Sequence, residues 1–255
     1  MKIVILGSGN VAGYLAENFS HQGHKIIQVY SRTKANAHAL ASVFEADATD
    51  ELSQLLPDAD LYLLAVSDSA IIELMQTPPA IGQGIMVHCS GATPLTALAS
   101  YEQYGVIYPP QSISKNVSSP IAAIPFAIEG NTPAVQALLL QTMQAMAPKS
   151  FPCTTAQRLA LHVAAVFANN FSNLLFQISY DLLAEHEISF DLLRPIILET
   201  AQKVQNKRPD EVQTGPAKRG DQQTLERHLN FLSEKPSWLK IYQQLSEEIR
   251  RKANS

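Results

Sequence analysis

Along the first 150 positions, short apolar runs alternate with stretches whose apolar residues recur every three or four positions. The runs predict strands at Lys2–Leu6, Lys25–Tyr30, Leu61–Val66, Gly84–His88, Gly105–Tyr108 and Pro125–Glu129. The recurring stretches predict helices at Asn10–Gln22, Lys34–Phe44, Asp50–Leu56, Asp68–Gln76, Pro94–Tyr101 and Thr132–Met146. Strand and helix in alternation imply a mainly parallel sheet with helices on both faces. The runs are apolar throughout, as strands covered on both faces require.

After about Phe151 only the helical period remains, at Thr155–Glu185, Ser189–Asn206, Gln222–Leu232 and Ser237–Arg251. Ser189 and Asp221 are suited to cap the second and third of these. The expected fold is therefore an α/β Rossmann domain with a doubly wound parallel sheet over residues 1–150. An all-α domain over 151–255 follows it. The stretch Leu159–Tyr180 lacks acids, lysine and arginine and spans roughly 33 Å as a helix, enough to cross a bilayer. Its His162, Asn169, Asn170, Asn173 and Gln177 are costly in lipid, which favours a buried core helix.

One turn carries the clearest chemistry. Gly7-Ser8-Gly9-Asn10-Val11-Ala12 follows the first strand and opens the first helix. That is the setting in which G-x-G-x-x-[GA] binds a dinucleotide. Gly7 permits the tight turn, Gly9 admits a pyrophosphate against the backbone, and Ala12 lets helix and strand approach. The helix N-terminus presents free N–H groups to the phosphates. At the end of the second strand, Ser31-Arg32-Thr33 contains no acid. A carboxylate there would take a ribose 2′-hydroxyl, whereas Arg32 can pair with a 2′-phosphate, so NADP(H) is the expected cofactor. Ala65-Val66-Ser67-Asp68 and His88-Cys89-Ser90-Gly91 end two further strands and should line the same crevice. Ser67 or Asp68 caps the next helix on this reading, His88 is a buried, satisfied histidine, and Ser90 lies near the nicotinamide.

On an ideal helix, Asn169, Asn173 and Tyr180 fall at about −20°, +20° and 0° from His162. This polar stripe on an apolar helix suggests a groove facing a ligand or another buried polar network. In a ligand groove His162 would be a proton donor or substrate ligand, with Asn169 and Asn173 orienting a carbonyl, imine or carboxylate. Thr214 through Asp221, with two glycines and a proline, predicts a shaped loop in which Arg219 could hold an anion.

Composition narrows the alternatives. Apolar residues make up 46% of the 255, ample for packed cores, and the net charge is −4. The chain has no basic patch with interleaved aromatics, which argues against a nucleic-acid partner. Cys89 and Cys153 lack metal-ligand spacing, so free thiols in a reducing cytoplasm are expected. The first apolar run is too short for a secretion signal.

The turn at Gly7–Ala12, Ser31-Arg32-Thr33 and Ala65–Asp68 resemble the NADP-binding domains of pyrroline-5-carboxylate reductase and deazaflavin-dependent NADP reductase. With His88–Gly91, Tyr108-Pro109-Pro110-Gln111-Ser112, His162–Asn173 and Thr214–Asp221, nearly the whole chain is similar to a bacterial family of candidate NADP oxidoreductases. In that family the C-terminal helical domain has no assigned function. The resemblance implies a helical domain of the 6-phosphogluconate dehydrogenase kind, a homodimer through the C-terminal helices and a small-molecule substrate. Related hydroxyacid dehydrogenases carry Lys-x-x-Asn-Asn on the long helix. Asn169 and Asn170 fit the asparagines, but Val166 occupies the lysine position, and His162 is the substitute one turn earlier. The departure leaves two readings: an NADPH-dependent reductase of small carbonyls or imines, or a non-catalytic NADP-binding sensor.

Overall fold

The computed structural model describes residues 1–114 and 119–253. The strands are β1 (Lys2–Leu6), β2 (Lys25–Tyr30), β3 (Asp47–Thr49), β4 (Leu61–Leu64), β5 (Ile85–His88), β6 (Tyr104–Tyr108), β7 (Ala127–Gly130) and β8 (Phe151–Pro152). They form one sheet in the order β3-β2-β1-β4-β5-β6-β7-β8. Among the described residues only the β6–β7 pair is antiparallel. The first six strands thus follow the doubly wound 3-2-1-4-5-6 order. β1 shows why its run is apolar at every position. Ile3 and Ile5 enter one core layer with Leu15, Phe19, Leu139 and Met143, while Val4 and Leu6 enter the other with Tyr62, Leu64, Ile71 and Met86. Successive side chains alternate faces, and here both faces are covered.

The helices are α1 (Asn10–His21), α2 (Lys34–Ala41), α3 (Asp68–Gln76), α4 (Pro133–Gln144), α5 (Thr155–Ala165), α6 (Ser172–Ala184), α7 (Arg194–Asn206), α8 (Pro209–Val212), α9 (Pro216–Arg219), α10 (Gln222–Phe231) and α11 (Pro236–Ala253). Several differ from expectation. The helix expected over 50–56 is only a 3₁₀ turn at Leu52–Gln54, and that over 94–101 is a 3₁₀ turn at Leu95–Leu98. The long helix expected over 155–185 is interrupted by a π-helical segment, Val166–Phe171. Asp221 caps α10 as expected, accepting from the Thr224 amide, while Ser189 caps a 3₁₀ turn that precedes α7.

The chain divides into two compact units, Met1–Asn169 and Asn170–Ser255. The division falls within the π segment, and α5 belongs to the first unit. Thr154 and Gln157 form a capping box at its start, and Arg158 is fully buried. The stretch Thr155–Ala184 is long and apolar enough to cross a membrane, with a mean hydropathy of 1.4 over an 18-residue window. That window is nowhere buried within the chain, so the expected buried core helix is corrected: this apolar surface is uncovered. In the second unit, α9 packs against α10 and α11. His228 Nδ1 lies 2.7 Å from the Tyr242 hydroxyl, and Lys235 sits 4.6 Å over the Trp238 ring.

Candidate active site

The turn between β1 and α1 contains two glycines with different reasons to be glycine. Gly7 has φ +125°, and a Cβ there would lie 2.3 Å from the Ala65 carbonyl oxygen. Its amide donates to the Tyr30 carbonyl at 2.9 Å, which ties the turn to β2. Gly9 is exposed with ordinary φ, and a Cβ there would meet nothing within 4 Å. Nothing inside the protein demands glycine at this position. The open space above it, at a helix N-terminus with no side-chain cap, fits a diphosphate. Val11 is half-buried and Ala12 is fully buried beneath the turn. Asn10 is less free than expected, since its side-chain amide donates to the Ile113 carbonyl at 3.2 Å.

At the carboxyl end of β2, the Ser8 and Ser31 hydroxyls lie 3.0 Å apart and join the two loops. Arg32 projects into solvent, and among the described residues its ion-pair partner is the Glu73 carboxylate at 4.0 Å. Lys34 opens α2 and lies 3.9 Å from Asp50. Thr33 occupies the N-cap of α2 without a side-chain capping bond, so its hydroxyl stays available. Sequence reasoning omitted Lys34, although a second cation beside Arg32 would suit a 2′-phosphate.

Ala65 and Val66 lie directly under Gly7. Ser67 takes the N-cap position of α3, with its hydroxyl 3.3 Å from that of Ser69. Ser90 is an organiser of its own loop: its hydroxyl accepts from the Ala92 and Thr93 amides at 3.1 and 2.8 Å. His88 is fully buried as expected, and its Nδ1 accepts from the Ser90 amide at 3.2 Å. Among the described residues its Nε2 has no hydrogen-bond partner. Burial, helped by the Arg158 charge, lowers its pKa to about 4. Burial also pushes the Cys89 thiol up to about 12, which makes it a poor nucleophile.

Arg158, absent from the sequence-based candidates, holds this region together. Its Nε and Nη2 donate to Glu129 Oε2 at 3.2 and 3.1 Å. Its Nη1 donates to the carbonyls of Ser90, Gly91 and Thr93 at 2.9, 3.0 and 2.9 Å. The Thr155 hydroxyl donates to the other Glu129 oxygen at 2.6 Å. One buried cation thus pins the loop after β5 to β7 and α5. The available signal was a lone arginine one turn into an apolar helix.

His162 lies against this clamped loop. Its Nδ1 is 3.0 Å from the Tyr108 hydroxyl at the end of β6, and a Cβ on Gly91 would come within 2.6 Å of its ring. The structure thus brings His162 to the carboxyl ends of β5 and β6. Asn169 lies in the π segment and Asn173 in α6, and both are exposed. The π segment separates His162 from Asn173, so a constant 100° per residue does not carry the predicted stripe across it. The expected loop over 214–221 is the short helix α9, set between Gly215 at φ +107° and Gly220 at φ +69°. A cavity of about 460 Å³ between residues 78–84 and 100–103 lies at the amino ends of β5 and β6, away from the crevice.

Two family models match the chain. The family "NADP oxidoreductase coenzyme F420-dependent" matches residues 2–89, and a domain of unknown function, DUF2520, matches residues 124–249. A solved structure from Bacteroides fragilis, described as a candidate NADP oxidoreductase, is 36% identical, covers 98% of both chains and has a TM-score of 0.89. A reductive aminase from Aspergillus terreus, solved with NADPH and ethyl-5-oxohexanoate, shares the fold at 16% identity and a TM-score of 0.74, over 98% of this chain and 92% of that one. A glutamyl-tRNA reductase from Listeria welshimeri is 36% identical over 75 residues, so the chain spans 28% of itself and 17% of that curated relative's length in the match. By its full-length match to the Bacteroides protein, and by the two family models that divide its length, this chain belongs to the family of NADP oxidoreductases that join a Rossmann domain to DUF2520.

Proposed function

We propose that the chain is an NADPH-dependent reductase of a small carbonyl or imine substrate. The observation that carries this reading is the open face of Gly9, a glycine without an internal reason, set between β1 and α1. In this reading Gly7, Ser8, Gly9, Asn10, Val11 and Ala12 hold the diphosphate. Ser31, Arg32 and Thr33 hold the 2′-phosphate, and Ala65, Val66 and Ser67 flank the dinucleotide. When bound, NADPH supplies hydride from its nicotinamide ring. Ser90 orders the loop beside that ring. His162 gives a proton to the substrate heteroatom, and Asn169, exposed in the π segment, is the orienting amide. The reductive aminase, solved with NADPH and a keto ester, supports the choice of substrate class.

The exposed apolar side chains of α6 and α7, among them Leu175, Ile196 and Leu198, support a homodimer through the C-terminal helices. The free thiols Cys89 and Cys153 suit a reducing cytoplasm.

The test is NADPH oxidation with a panel of keto acids and cyclic imines, in wild type and His162→Ala. Turnover by the wild type and a drop in kcat of about 10²-fold in the variant are expected. An unimpaired variant removes His162 from the reaction. A second reading, oxidoreduction between NADP and coenzyme F420, follows from the description of the matched family. The same assay with oxidised F420 in place of the panel separates the two.

A further inference from the structure

His162 is held from two sides, both within the first unit. The Tyr108 hydroxyl meets its Nδ1 at 3.0 Å, and the rings stand edge to face with centroids 5.8 Å apart at 75°. On the other side the ring rests on Gly91, where a Cβ would lie 2.6 Å from Cγ and Nδ1 and 2.8 Å from Cβ. The Gly91 backbone cannot retreat easily, because its carbonyl and those of Ser90 and Thr93 are bound by the buried Arg158 guanidinium. The contact therefore requires glycine and a fixed loop.

A hydroxyl is an unusual choice for this nitrogen, with a chemical consequence. Neutral imidazole has one N–H and one lone pair, whereas a hydroxyl both donates and accepts. With His162 protonated, Nδ1–H donates to the Tyr108 oxygen and Nε2–H is free to be given up. Loss of that proton leaves the neutral ring with its proton on Nδ1, still donating to Tyr108. The bond survives both states. A carboxylate at Tyr108 would favour the cation and hold the proton. A backbone N–H would forbid protonation at Nδ1. The charged groups around the pair are Arg158 on α5, neutralised by Glu129 on β7, and Asp68 at the start of α3. Burial holds the Tyr108 phenol above its ordinary value, so it stays a neutral hydroxyl.

We propose that Tyr108 is a positioning residue that holds His162 by its Nδ1–H, so that Nε2 is the nitrogen that gives up and regains the proton and the neutral ring is left as the Nδ1–H tautomer, with Gly91 as the gap that admits the ring. This rests on the reading of His162 as proton donor.

The experiment uses the full chain labelled with ¹⁵N-histidine, with the His162 resonances assigned by their loss in His162→Gln. In the wild type, the nitrogen shifts of the neutral ring should report the Nδ1–H tautomer. In Tyr108→Phe, which keeps the ring packing, the tautomers should mix and the His162 titration midpoint should move. The acid limb of kcat against pH should move with it, kcat should fall about tenfold, and KM for NADPH should stay unchanged. Gly91→Ala should displace the ring and reproduce the tautomer change with Tyr108 intact. If Tyr108→Phe leaves the His162 tautomer and titration as in the wild type, the proposal is overturned. The function itself fails separately, through full turnover by His162→Ala.

Discussion

The two compact units manage their apolar surface in opposite ways. In Met1–Asn169 the sheet is covered on both faces, and β1, β4 and β5 hold fully buried residues at nearly every position. In Asn170–Ser255, the buried apolar side chains among the described residues are Ala217, Leu225 and Leu232. Leu174, Leu192, Ile196, Leu198 and Val204 face outward there. A domain of this size ordinarily buries roughly 60% of the surface that its unfolded chain exposes. Each large side chain left in water forgoes about 1.5–3 kcal/mol. The first unit is specified by its own sequence, whereas the second carries a surface that makes sense only when something covers it.

The largest effect should come from attacking that surface. Replacing Leu175 and Ile196 together by glutamate places two charges on faces already exposed in the chain, so the fold of the protomer should be spared. Light scattering after size exclusion should show wild type at twice the protomer mass and the double variant at the protomer mass. A wild type that runs as a monomer with normal solubility would end the contrast between the units.

The next effect probes the completeness of the first unit. Arg158→Leu leaves Glu129 buried without its cation and orphans three carbonyls. Breaking such a pair from one side costs about 3–5 kcal/mol. Urea unfolding should register this as a lower midpoint with an unchanged slope.

What could be read beforehand follows this division between local and distant information. The turn at Gly7–Ala12 is a six-residue pattern beside a strand, and its physical demands are local, so both its position and its glycines were legible. β3 has three residues and β8 is Phe151–Pro152, too short for any period to register. Arg158 reads as a surface charge in sequence, because its partners lie 29 to 68 residues away. The π segment carries no local signal, yet one such insertion disturbs the helical phase that aligned His162 with Asn173. An apolar helix likewise does not say whether its cover comes from the same chain.

His88 gives the first unit a pH dependence. It is buried and neutral, with its pKa lowered from 6.5 to about 4. Between those values the unfolded chain binds a proton that the folded chain refuses. Its contribution to stability is therefore whole above pH 6.5 and is lost as pH falls toward 4. The loss is about 3 kcal/mol at about 1.4 kcal/mol per unit. Unfolding free energy measured from pH 7 to pH 4 should fall more steeply in wild type than in His88→Gln. Parallel curves would remove His88 as the cause.

The finest contrast within the first unit sets Gly7 against Gly9, two residues apart in one turn. Alanine at Gly7 must adopt φ +125° and meet the Ala65 carbonyl, so strain alone costs about 1–3 kcal/mol and the midpoint of unfolding should drop. Alanine at Gly9 keeps an allowed φ and touches nothing, so stability should match wild type. Calorimetry should instead report NADPH binding weakened about tenfold or more, equivalent to at least about 1.4 kcal/mol. A single methyl group would then destabilise the fold at one position and weaken ligand binding at the next but one, because one glycine answers to the chain and the other to the diphosphate. If Gly9→Ala binds NADPH as tightly as wild type, the space above Gly9 is not where the diphosphate rests, and the open face loses its meaning as a site.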